Sequence, residues 1–184
     1  MMDHVMVDLE TLGTSAGCVV LSIGAVGFDP VARKLGPSFH SKINVEDSEK
    51  HGLRVDQATV DWWEKQSEAA RILLAETRDI ITSHRLDEAL DYFSEWVRLN
   101  FPYNPKLWGN GADFDNPILK ALYTATERKF PFPSWNGRCY RTIKNLAPHV
   151  KLKREGTYHS ALDDAISQAK HLFEVLDAVN ITLS

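Results

Sequence analysis

Along residues 4–10, Val5 and Val7 fall on one side of an extended segment and Met6, Asp8 and Glu10 on the other. That period of two predicts a strand with one apolar face and an acidic end on the opposite face. A turn at 13–17 leads into a nearly continuous apolar run at 19–28, closed by Asp29-Pro30, which predicts a second strand; 38–43 predicts a third. Three strands this close in sequence predict an antiparallel meander. The polar stretch 44–56 reads as loop.

The period then changes. Thr59 is expected to cap a short helix carrying Trp62 and Trp63, and Ser67 a second one running to about Thr77. Leu86, Leu90, Phe93 and Val97 recur at helical spacing and predict a longer amphipathic helix. A short strand is expected at 106–110. Asn116-Pro117 predicts a helix to about Thr126, with Asn as cap and Pro in the first turn. A last strand is expected at 139–142. A final helix at 160–179 carries Leu162, Ala165, Ile166, Ala169, Leu172, Phe173 and Leu176 as its apolar set. Strands followed by helices that alternate with two further strands predict a layered α/β architecture. With no repeat, low-complexity segment or linker, residues 1–184 read as one domain.

Composition excludes some classes. With 43% hydrophobic and 25% charged residues, the chain resembles neither a disordered tail nor a fibrous repeat. No apolar run approaches the about 18 residues of a membrane span, and no basic segment followed by an apolar one marks a signal peptide at the start. Cys18 and Cys139 have no neighbours at zinc spacing, so a reducing cytoplasm is the expected location. The net charge of −4 argues against a nucleic-acid partner until it is mapped. Residues 128–154 hold Arg128, Lys129, Arg138, Arg141, Lys144, Lys151, Lys153 and Arg154 and no acid, a net of +8, which leaves −12 on the rest. Trp135 and Tyr140 lie inside that stretch, and aromatics among cations suit unpaired bases and phosphates.

Candidate chemistry begins at Asp8 and Glu10, two apart at a strand end and on one face. Paired acids repel unless a cation lies between them, and hard oxygen ligands suit magnesium or manganese. Asp47-Ser48-Glu49 repeats the spacing without strand context and reads as solvated surface. A further acid, Asp113 or Asp115, sits where a glycine-containing turn at 109–117 leads into a helix. His159 has the side chain suited to deprotonating water near neutral pH. Asp163 and Asp164 follow it at comparable angles from the final helix's apolar face, and periodicity does not choose between them. His171 reads as a surface residue.

Taken in order, these segments resemble the exonuclease motifs of the DnaQ-like superfamily, DEDDh branch. Asp8-Leu9-Glu10-Thr11 matches its Asp-x-Glu-Thr motif, Phe114-Asp115 the second motif, and His159, Ala161, Asp164 and Ala165 its His-x-Ala-x-x-Asp-Ala motif. Matching to the family selects Asp115 over Asp113 and Asp164 over Asp163. The run from Thr59 through Trp62, Trp63 and Gln66 to Ser67, with Ala69-Ala70-Arg71 and Arg138-x-x-Arg141-Thr142, resembles the RNase T-like subgroup. That subgroup holds both a phage exodeoxyribonuclease and a bacterial 3′–5′ exoribonuclease. One departure is Asn110-Gly111, where many members have His-Asn ahead of Phe-Asp.

The resemblance implies a ribonuclease-H-like (DnaQ-like exonuclease) fold, a mixed five-stranded sheet flanked by helices. It implies a 3′–5′ exonuclease that removes nucleoside 5′-monophosphates from single-stranded 3′ ends, with DNA slightly favoured over RNA. Two Mg2+ or Mn2+ ions about 4 Å apart would be held by Asp8, Glu10, Asp115 and Asp164. By the same resemblance Asp8 bridges the ions, Glu10 and Asp164 serve the nucleophile side, Asp115 serves the other, and His159 is the general base. Thr11, Leu12, Trp63, Gln66, Asn110, Arg138 and Arg141 are the expected substrate contacts. A homodimer is implied as well, and no membrane partner.

Overall fold

The structure, a computed structural model, describes residues 2–157 and 159–183. Its chain forms β1 (His4–Thr11), β2 (Val20–Asp29), β3 (Lys34–Lys42), α1 (Val45–Lys50), α2 (Gln57–Trp63), α3 (Glu68–Glu76), α4 (Leu86–Asn100), β4 (Lys106–Gly109), α5 (Asp115–Ala125), β5 (Gly137–Cys139), α6 (Tyr140–Lys144) and α7 (Ala161–Ala178). The strands make one sheet in the order β3-β2-β1-β4-β5. The expected antiparallel meander is present in β1–β2 and β2–β3, while β4 pairs parallel with β1 and β5 parallel with β4. The sheet is therefore mixed, with five strands.

Two apolar layers cover it. Val5, Val7 and Leu9 of β1 pack with Leu86, Leu90, Phe93 and Val97 of α4 and with Ile118, Leu119 and Leu122 of α5. Met6, on the opposite face, packs with Val26, Phe28 and Trp108 under Ala165, Ala169, Leu172 and Leu176 of α7. β2 is buried on both faces because it lies inside the sheet and both layers reach it, which explains its unbroken apolar run.

Gly24 sets how close α7 comes. It pairs with Asp8 in the β1–β2 register, and a Cβ there would lie 2.1 Å from the carbonyl carbon of Ala161. Only a residue without a side chain lets the first turn of α7 rest on the sheet beside Asp8.

Several local expectations are corrected. The stretch 44–56 is not all loop: Asn44 accepts from Asp47 N at 2.9 Å and starts α1. Asp47 is not solvated surface, since it is buried and accepts from Leu86 N at 2.9 Å, tying α1 to the start of α4. Asp56, not Thr59, caps α2 by accepting from Ala58 N at 3.0 Å. Ser67 caps α3 as expected. α5 begins at Asp115, and Asn116 is no cap; its amide instead donates to the carbonyls of Leu107 and Arg138, each at 3.3 Å, bracing β4 against β5. The last strand ends at Cys139, and Tyr140 already begins a helix. His171 is buried rather than exposed, with Nδ1 2.6 Å from the Tyr140 hydroxyl and Nε2 3.0 Å from the Val150 carbonyl. For Asp47, Asn116 and His171 a contact from a distant segment overrides the local signal.

Candidate active site

β1 outruns its parallel neighbour. β4 pairs with it only over His4–Met6, so the last residues of β1 project past β4 at the point where the strand directions on its two sides differ. Such a switch point leaves a crevice at the carboxyl end of the strand. There the backbone N–H of Leu9, between the two acids, is taken by Asp115 Oδ1 at 3.2 Å. Asp115 Oδ2 accepts from Asn110 N at 2.6 Å, so the first residue of α5 is locked to both β1 and the end of β4.

α7 supplies the opposite wall. Asp164, in its first turn, brings a carboxylate oxygen to Asp8 and Glu10, and ligand atoms of these three residues all lie within 4.8 Å of one another. Asp163 points elsewhere, accepting from Thr157 N at 2.8 Å. One turn further along, Gln168 Nε2 donates to Asp8 Oδ1 at 2.7 Å. Arg154 Nη1 donates to Asp164 Oδ1.

These placements perturb the acids. Burial, then the charges of Asp115, Glu10 and Asp164, hold the Asp8 carboxyl well above the usual range, against the Gln168 hydrogen bond. Burial and the charges of Asp164 and Asp115 push Glu10 up to about 8. Burial raises Asp115 to about 6, opposed by the amides of Asn110 and Leu9. Burial raises Asp164 too, opposed by Arg154 and His159. A partly buried set of all-oxygen donors that repel one another fits hard divalent cations, which neutralise that repulsion. The residues present therefore fit magnesium or manganese.

His159 precedes the Ser160 cap of α7, with φ 63°, a conformation few non-glycine residues adopt. Its ring meets Trp62 and Trp63 edge-on, with centroids 5.4 and 5.5 Å away. Burial lowers its pKa, opposed by Asp164. An imidazole disposed toward its uncharged form is suited to accept a proton. Asp8, Glu10, Asp164, His159 and Arg154 share a cleft of about 830 Å³ with Thr11, Trp62, Trp63 and Gln66.

Other expected contacts are placed differently. Thr11 and Gln66 line the cleft. Trp63 is buried and donates from Nε1 to the Thr11 carbonyl at 2.9 Å, so it anchors α2 to β1 while Trp62 is 47% exposed. Leu12 is fully buried in the apolar core and lies outside the cleft lining. Arg141 donates to the Asn110 carbonyl at 2.6 Å, which keeps both near Asp115 but outside the cleft wall. Arg138 donates to the carbonyls of Trp135 and Gly137 and borders a separate cavity of about 480 Å³.

The model of the 3′–5′ exoribonuclease Rv2179c-like domain family matches residues 3–176. The chain belongs to this family. Beyond this Rv2179c-like match, the exodeoxyribonuclease of Enterobacteria phage T4 is 23% identical over 132 residues, covering 67% of this chain and 56% of the phage protein. The chain thus spans little more than half the length of that relative. Among solved structures, the nuclease domain of 3′hExo, a DEDDh family member, bound to rAMP, aligns with TM-score 0.64 and 14% identity, covering 96% of this chain and 93% of that one. Exonuclease X in complex with 5′ overhanging duplex DNA aligns with TM-score 0.57 and 14% identity, covering 97% and 93%. These likenesses show that the Rv2179c-like domain has the ribonuclease-H-like fold of the DEDDh exonucleases.

The sequence reading missed three members of the site in this Rv2179c-like domain. Gln168 lies four residues after Asp164 on the same helical face, a spacing that could have found it. Gly24 and Arg154 carry no local signal, since each matters through a contact with α7.

Proposed function

We propose that this domain is a metal-dependent 3′–5′ exonuclease that removes nucleoside 5′-monophosphates from single-stranded 3′ ends. The observation that carries the reading is the convergence of Asp8, Glu10 and Asp164 within 4.8 Å, in one cleft with His159, in a chain matched by the family over residues 3–176. Asp8, Glu10 and Asp164, with Asp115 behind them, would hold two Mg2+ or Mn2+ ions, whose chemistry is to neutralise phosphate charge and favour attack by water.

The protein's own groups do the rest. Gln168 donates to one oxygen of Asp8, whose side chain lines the cleft. The amides of Leu9 and Asn110 fix both oxygens of Asp115. His159, held edge-on by the two tryptophans, accepts the proton of the attacking water. Trp62, exposed beside it, offers a face for the terminal base, while Thr11 and Gln66 line the sugar side. Cleavage of the last phosphodiester leaves a 3′-hydroxyl on the shortened strand and a 5′-phosphate on the released nucleoside.

The family description names RNA and the phage relative is named for DNA, so the shared phosphodiester chemistry is what both support. The testing experiment uses single strands labelled at either end, in DNA and RNA versions, with Mg2+. A 5′ label should descend as a ladder, and a 3′ label should appear as mononucleotide from the first turnover. Internal fragments, or no cleavage, overturn the reading. Light scattering on the same preparation tests the proposed homodimer.

A further inference from the structure

Between α6 and α7 the chain runs back along α7 and is pinned directly after Arg154. Glu155 N donates to the buried Ser167 Oγ at 3.0 Å, and Thr157 N to Asp163 Oδ2 at 2.8 Å. Gly156, at φ +80°, packs so closely on Asp163 that a Cβ there would lie 2.4 Å from its Cγ. Lys153 reaches Glu174 at 3.3 Å, and Lys170 pairs with Glu155. The exposed ion pairs hold little individually. The two backbone bonds and the glycine contact fix the main chain, so the Arg154 side chain is delivered into the cleft.

We propose that Arg154 is a further catalytic residue: its guanidinium rests on Asp164 in the metal-free protein and, once a divalent ion takes that carboxylate, holds the non-bridging oxygens of the substrate's terminal phosphate. This rests on the exonuclease reading above. A guanidinium and a divalent ion compete for the same carboxylate and repel each other there. The displaced guanidinium stays tethered in the cleft by its pinned main chain, where a bound phosphate would meet it. Arginine's planar fork matches phosphate in two parallel hydrogen bonds, and charge develops on those same oxygens as the bond breaks. Arg154 already acts on the acids electrostatically, opposing the burial-driven rise of both Glu10 and Asp164.

The test compares wild type, Arg154→Lys and Arg154→Ala. Three quantities are measured: Mn2+ binding without nucleotide, binding of AMP and of dTMP with Mn2+ present, and the single-turnover rate on a short single strand. Arg154→Ala should bind Mn2+ severalfold more tightly, because its competitor is gone. It should bind both monophosphates about tenfold more weakly and turn over about 10- to 100-fold more slowly, with Arg154→Lys in between. Unchanged monophosphate binding and rate overturn the proposal whatever Mn2+ does, because Arg154 would then be a counter-charge to Asp164 alone. Unchanged or weaker Mn2+ binding overturns the exchange at Asp164. If wild type binds Mn2+ and monophosphate but cleaves no strand, the exonuclease reading fails, while the binding arms still judge Arg154. The side chain is 44% exposed, so both variants should fold, which a thermal melt checks.

Discussion

Asp8 sits half-buried among three other carboxylates, and its neighbours repel it as much as they define it. Removing that charge should therefore stabilise the metal-free protein. Asp8→Asn is expected to raise the metal-free melting temperature by a few degrees, about 1 kcal/mol or more. Mg2+ should raise the wild-type temperature and barely move the variant's, as thermal melts with and without metal would show. The acid doublets separate at the same scale. Asp115→Asn and Asp164→Asn should abolish turnover, whereas Asp113→Asn, at an exposed position, should spare it; gel assays of all three decide. His159→Ala should slow cleavage by about 10²- to 10⁴-fold while leaving Mn2+ binding intact, by isothermal titration. His4 carries a pH prediction away from the cleft. It is buried, accepts from Trp108 Nε1 at 2.8 Å, and its pKa falls to about 4 through burial and the charge of Lys106. A histidine whose folded pKa lies below its unfolded value of about 6.5 takes up its proton first in the unfolded chain. Its contribution is full above pH 6.5 and is lost between about 6.5 and 4, by about 3 kcal/mol. Urea midpoints should show this fall in wild type, and a smaller one in His4→Asn.

Elements decide how closely the acids meet. α7 reaches Asp8 because Gly24 gives it room and Ala165 and Ala169 keep its inner face narrow. Gly24→Ala would drive a methyl into the backbone at Ala161, an atom that moves only if the helix moves. We expect a loss of about 1–3 kcal/mol or more in urea unfolding, with a fall in Mn2+ affinity that a simple surface mutation would not give. The helices were mostly legible in sequence, because periodic Leu86, Leu90, Phe93 and Val97 bury one face of α4 wherever it lies. What eluded the sequence were caps and ends set from afar. Asp47 serves α4 across 39 residues, and Asn116 braces two strands instead of capping its own helix. β5, only three residues long, is defined by pairing with β4 and not by any pattern of its own.

Across the whole molecule the basic segment proves less available than its +8 suggests. Arg128, Lys153 and Arg154 are paired with Asp91, Glu174 and Asp164, while Arg138 and Arg141 donate to backbone carbonyls. If Arg141 reads the phosphate backbone, Arg141→Ala should reduce the slope of log affinity against log salt for a single strand by about 0.7, and an unchanged slope would assign it to bracing Asn110 alone. The sequence by itself determined the meander, the amphipathic helices and the acids and histidine at matching intervals, since periodicity and motif order are properties of the linear chain. Motif order already chose Asp115 and Asp164 from their doublets; tertiary structure alone decided that Leu12 and His171 are buried and that Gly24 and Arg154 stand at the site. Each of those outcomes depends on where α7 and α5 dock against the end of β1, and docking is set by contacts between residues far apart along the chain.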